Sequence, residues 1–139
     1  MKSNIRIFFL RVKDNASKLH QICTTIHHHF VKRERVLVAV PSHEAAIYID
    51  QLLWKLPEES FLPHSIGNFP TQEPIAITTE KTNINGAEVV FNLTPGLCSQ
   101  VELFKTVYEL YDLTSKEKEA LSKKKHDEYL SLGYQTEIL

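Results

Sequence analysis

Residues 35–54 read RVLVAVPSHEAAIYIDQLLW. Arg35–Val40 is a short, continuous apolar run rich in valine, the pattern of a strand covered on both faces. Pro41 ends it, and Ser42 with Glu44 just beyond supplies the opening of a helix. From there Ala45, Ala46, Ile49, Leu52 and Leu53 recur at the three- and four-residue spacing of a helical stripe. Trp54 follows the stripe and Pro57 stops the helix. A two-face-buried strand feeding directly into an amphipathic helix is the repeating unit of a parallel sheet.

The flanking sequence repeats the unit. Upstream, Asn4–Val12 is nearly continuous in Ile and Phe and reads as a strand; Asp14 and Asn15 mark a turn. Leu19, Ile22, Cys23, Ile26 and Phe30 then form a helical stripe. Downstream, Pro57–Pro74 holds four of the six prolines and reads as irregular, with a short strand near Ser60–Leu62. Two further strands are predicted at Pro74–Thr79 and Glu88–Leu93, with the turn signal Asn85-Gly86 between them. Leu97, Val101, Phe104, Tyr108 and Tyr111 predict a third helix, and Thr114 or Ser115 caps a last one running to about Leu132, with Leu121, Tyr129 and Leu132 facing the core. Gly133 is placed to close that helix. The expected architecture is α/β: a single domain over residues 1–139, a mainly parallel sheet flanked by helices in a Rossmann-like three-layer arrangement.

Composition narrows the function. The chain has 139 residues, enough for one core, and a net charge of −1. A domain that grips nucleic acid directly normally carries a strong positive excess. Cys23 and Cys98 lie among apolar neighbours and outside any C-x-x-C pair, which favours buried reduced thiols over a disulfide and suits a cytoplasmic location. Arg6 interrupts the apolar run Ile5–Leu10 and no small-residue cleavage site follows, so a secretory signal is not expected. No stretch is as long as a membrane span. Gly67, Gly86, Gly96 and Gly133 are far apart, so there is no dinucleotide fingerprint and no P-loop. No nucleophile motif or acid–base pair stands out, so no catalytic residue and no cofactor is expected. His27, His28 and His29 are adjacent, with His20 before them. Consecutive helical side chains diverge by about 100° and cannot all meet one ion, so no metal is expected.

The segment around residues 33–68 carries a more specific signal. An R-V-L-V-A strand, a helix ending in Asp50-Gln51-Leu52-Leu53-Trp54, and then Pro57, Glu59, Ser60, Phe61, Pro63 and His64 in fixed order resemble the chi subunit of bacterial DNA polymerase III. Length and element order agree along the rest of the chain. The resemblance implies a non-catalytic accessory subunit of the replicative polymerase that binds proteins. It implies two partners, the psi subunit of the clamp-loader complex and the acidic C-terminal tail of the single-stranded DNA-binding protein, and allows a repair helicase as another. DNA is then reached only indirectly.

On that resemblance, Trp54, Pro57, Phe61, Pro63 and His64 form the psi-binding surface. Aromatics on stiff, proline-punctuated backbone lose little entropy on docking. By composition alone, Trp54 and Phe61 read better as core residues packing the loop, since most aromatics are core; the resemblance reverses that preference. The tail-binding site is expected at Lys123, Lys124, His126, Gly133 and Tyr134, where cations meet the carboxylates of an acidic peptide and a ring lodges beside Tyr134. His126 stands where the family carries an aromatic, and Asp127 and Leu130 where basic residues strengthen the site, so affinity is expected to be micromolar at best, about −8 kcal/mol. The run Lys116, Lys118, Lys123, Lys124 and Lys125 also reads as a solvated helix face. Two other readings compete: a small α/β nucleotide-binding enzyme, by fold analogy, and a direct binder of single-stranded nucleic acid, which lacks the interleaved aromatics such sites use.

Overall fold

The computed structural model describes residues 4–55 and 63–139. Seven strands form one sheet: β1 (Arg6–Val12), β2 (Val36–Ala39), β3 (His64–Ile66), β4 (Ile75–Thr78), β5 (Val89–Asn92), β6 (Thr106–Asp112) and β7 (Thr136–Ile138). Their order across the sheet is β3-β4-β2-β5-β6-β1-β7, and every neighbouring pair is parallel. Parallel strands cannot be joined by tight hairpins, so the connections must cross a face. Three helices do much of this: α1 (Asn15–Val31), α2 (His43–Lys55) and α3 (Lys116–Ser131).

The period-2 alternation of the strands sorts the core into two halves. Val36, Val38, Ile75, Ile77, Val89 and Phe91 point to one face, where they meet Ile22, Cys23 and Ile26 of α1 and Ala46, Ile49, Leu52 and Leu53 of α2. Leu37, Ala76, Val90 and Val107 point to the other, with Ile7, Phe9 and Tyr129 of α3. Helices therefore cover both faces, as the continuous apolar strands require. Phe9 is fully buried on β1, with ring centroids of Tyr111, His126 and Tyr129 at 6.3, 5.1 and 6.0 Å.

The helix ends follow from local chemistry. Asp14 accepts the Ser17 N–H at 2.7 Å and caps α1, as Ser115 caps α3 through the Lys118 N–H at 3.1 Å. α3 closes on Gly133 at φ +92°, where the Gly133 N–H donates to Leu130 O and the Tyr134 N–H to Tyr129 O. That paired return is a Schellman closure, and the left-handed position suits glycine.

Several expectations need correction. The helix predicted from Leu97, Val101, Phe104, Tyr108 and Tyr111 is not one: Val101–Leu103 is a single 3-10 turn and Thr106–Asp112 is strand β6. Spacings of three and four coexist there with a Thr-Val-Tyr run that fits the pleated sheet, and pairing along all seven residues of β1 decides the conformation. Leu121 and Leu132 do not face the core; both are exposed, whereas Tyr129 is buried. The strand predicted near Ser60–Leu62 lies outside the described residues, and the strand observed begins at His64. β7 was not expected, while the parallel sheet expected from the sequence is found, with every described strand pair parallel.

Both thiols are free and buried. Burial pushes Cys23 up to about 11, and burial reinforced by Glu109 pushes Cys98 up to about 12. Because the thiolate is the reactive form, neither cysteine is expected to react with a disulfide reagent at pH 8 while the protein is folded. In denaturant two equivalents should react at once, a colorimetric count that checks the placement.

Candidate docking site

The end of α2 places an aromatic on the surface. Ser42 opens the helix by accepting the Ala45 N–H at 3.1 Å. Leu52 and Leu53 turn into the core, and the next residue, rotated by about 100°, points out: Trp54 is 54% exposed. One turn before it lies Asp50. His64, the first residue of β3, reaches across to this turn. Its Nε2 is 3.1 Å from the Asp50 backbone oxygen and 3.1 Å from Asp50 Oδ1. Both are acceptors, so the geometry assigns the hydrogen to Nε2. The imidazole packs against Trp54, with ring centroids 4.5 Å apart and planes tilted by 52°. Trp54 and His64 are thus brought together, and Pro63, half-buried, adjoins His64. Pro57 and Phe61 lie outside the described residues.

The lysine helix divides by rotation. Lys123 and Lys124 are exposed and share a shallow outer depression with Ala120, Asp127, Glu128 and Ser131. Lys125, the next residue, is buried. His126 is half-buried: it packs on Phe9 and its Nε2 lies 2.6 Å from Thr136 Oγ1. Gly133 is exposed in the closing turn, while Tyr134 is buried, its ring 6.1 Å from that of Tyr129. Burial, reinforced by Glu102, pushes the Tyr134 hydroxyl above its ordinary range. The structure therefore groups Lys123 with Lys124 on the surface and turns His126 and Tyr134 toward the sheet.

A polar cluster that was not foreseen lies inside the molecule. Glu109 is fully buried on β6 and accepts from Lys125 Nζ, from Tyr129 OH at 2.6 Å and from Asn92 Nδ2 at 2.8 Å. Lys125 also donates to Thr94 O at 2.9 Å, Asn92 donates to Gly96 O at 2.9 Å, and the Cys98 N–H donates to Tyr129 OH at 2.9 Å. Burial pushes the Glu109 carboxyl up, and Lys125, Tyr129 and Asn92 pull against it. A cavity of about 370 Å³ opens beside this cluster, at the carboxyl ends of β2, β5 and β6, with Leu19, Ile49 and Leu121 in its walls. In α/β sheets that crevice is the usual place for a small ligand. Here Lys125 is engaged by Glu109, and Lys18 by Asp112 at 2.7 Å. Among the described residues, no group of three His, Cys, Asp or Glu side chains is placed to hold a metal ion. No described helix is long and apolar enough to cross a membrane.

Fold and surface together define a small parallel α/β domain with no glycine-rich phosphate turn, its buried charges tying helix to sheet and one tryptophan presented outward. Residues 4–137 match the family model described as DNA polymerase III chi subunit, HolC, and the chain belongs to that family. The family is a non-catalytic accessory subunit of DNA polymerase III, which places this chain in DNA replication and sets aside the reading as a small enzyme. No curated protein matches the chain.

Proposed function

We propose that this chain is a protein–protein adaptor of the polymerase III assembly, docking the psi subunit on the Trp54 surface and the C-terminal tail of the single-stranded DNA-binding protein on the Lys123–Lys124 face. The exposure of Trp54 carries the reading. A large ring left half in water at a helix end is the kind of anchor that dominates protein interfaces. Family membership supplies the context, and the net charge of −1 argues for reaching DNA through a partner. The topology supports bridging. Trp54 packs on β3 at one edge of the sheet, and α3 lies over β6 with β7 beside it at the other. Four to six strand spacings separate them, roughly 19–29 Å, so two partners can dock without colliding. A repair helicase taking the psi surface in place of psi fits the same geometry.

Trp54→Ala is expected to leave the fold intact and to weaken psi binding by about 2 kcal/mol or more, roughly thirtyfold. Calorimetric titration with a psi subunit checks this, and unchanged affinity removes Trp54 from the interface. For the tail, the aromatic side of the site is turned inward, so attraction rests mainly on two cations. Micromolar binding that weakens with salt is expected. The pair Lys123→Glu and Lys124→Glu should reduce it at least tenfold in titrations with the tail peptide; full binding by the double variant places the tail elsewhere.

A further inference from the structure

We infer that His64 is a positioning residue for Trp54, fixed to Asp50, and that it presets the tryptophan for docking without touching the partner. The inference rests on the reading of Trp54 as a docking anchor and adds the device that holds it. The His64 side chain has 0% of its surface exposed, so a partner that lands on Trp54 does not reach the imidazole.

Three constraints meet on that ring. Its backbone is held in β3, where His64 is in register with Ile75 of β4. Its Nε2–H is shared between the backbone oxygen and the carboxylate of Asp50. Its flank lies against the indole at 4.5 Å. The carbonyl it engages is informative. In an α-helix the oxygen of residue i accepts from the N–H of residue i+4, and from Asp50 that residue is Trp54. His64 therefore bonds to the same peptide group that anchors the tryptophan backbone, while its ring blocks one side of the indole. Both the main chain and the side chain of Trp54 are restrained by one imidazole. An exposed aromatic loses rotamer freedom when it docks, and an anchor already held in place avoids that loss.

The test uses the full chain, whose only tryptophan is Trp54, so its intrinsic fluorescence reports on this site alone. Time-resolved anisotropy of the free protein is measured beside calorimetric binding of a psi subunit. His64→Asn, too short to reach Asp50, is expected to at least double the amplitude of fast indole motion and to weaken psi binding about tenfold. His64→Gln, whose amide nitrogen reaches the place of Nε2, should restore affinity to within about threefold of the original. Unaltered indole motion in His64→Asn, or a glutamine variant as weak as the asparagine one, overturns the inference. Should His64→Asn fail to fold, His64→Ala takes its place, since it buries no unpaired amide and removes both the bond to Asp50 and the ring beside the indole; a freer indole and about tenfold weaker binding support the inference, and an unmoved indole overturns it. Full psi binding by Trp54→Ala would sink the docking reading by itself, and the anisotropy of the His64 variants would still decide whether His64 positions the ring.

Discussion

Lys125→Ala is expected to destabilise the protein by about 3–5 kcal/mol, because it strands a buried carboxylate. Domains of this size hold about 5–15 kcal/mol in all, so the loss is a large share. The cause lies in Glu109, which has no exposed surface and takes its one full positive charge from Lys125. Tyr129 and Asn92 remain as donors in the variant, but neither carries charge. Two readouts separate this from a simple packing loss. Glu109 is already pushed up by burial and held back by Lys125; without the lysine it rises further, so the folded variant binds a proton that the unfolded chain releases. The sign follows: where the folded state binds more protons, stability falls as pH rises. The deficit of Lys125→Ala should therefore shrink from pH 8 toward pH 5 in urea titrations. Adding Glu109→Gln, which keeps acceptors for Tyr129 and Asn92 while removing the charge, should recover more than half of the loss. A deficit that does not change with pH and is not recovered by Glu109→Gln would falsify this account of the cluster.

Phe9→Ala is expected to cost about 3–5 kcal/mol, the range for emptying a large buried aromatic site. Phe9 lies on β1, between β6 and β7, and its ring is the floor on which His126 and Tyr129 of α3 rest. The substitution should loosen the helix that displays Lys123 and Lys124, so tail-peptide affinity should fall along with stability. Phe9→Leu, which keeps most of the volume, should lose about a third as much. Equal losses for the two variants in chemical denaturation would show that ring volume under α3 is not the source.

How far the chain could be read beforehand depended on what each segment buries. β2 and α2 were legible because their apolar residues repeat at one period and are bounded by Pro41 and Ser42. α3 was placed correctly from Ser115 to Gly133, yet its inner face was misjudged. That face is Ser122, Lys125 and Tyr129; the tyrosine is expected there, but Ser122 and Lys125 are polar residues that a search for apolar stripes passes over in favour of Leu121 and Leu132. The partner of that polar face had the same effect in β6: Glu109 occupies a core position and breaks the alternation that would have marked a strand. One buried ion pair thus obscured both elements it joins. The usable signal was a lone carboxylate inside the β-prone run Val107–Leu110, with lysines on the following helix. β7, at three residues, is too short for any period to show. For the docking surface, the sequence marked Trp54 and His64 by family pattern; their ring contact and the Asp50 anchor depend on a strand meeting a helix, which spacing along the chain does not encode.

The pairing of β1 bears on how the chain is made. Arg6 meets Thr106 and Ile7 meets Thr136, so the first strand has no neighbour until the ribosome has added about a hundred further residues, roughly 5–20 s at ordinary rates of elongation. During that interval the Ile-Phe-Phe-Leu stretch Ile7–Leu10 is an orphan, and its flanking Arg6 and Arg11, both solvent-facing in the finished sheet, are the charges that discourage it from sticking to other nascent chains. Neutralising both arginines should change the folded protein little and sharply lower its soluble yield during synthesis.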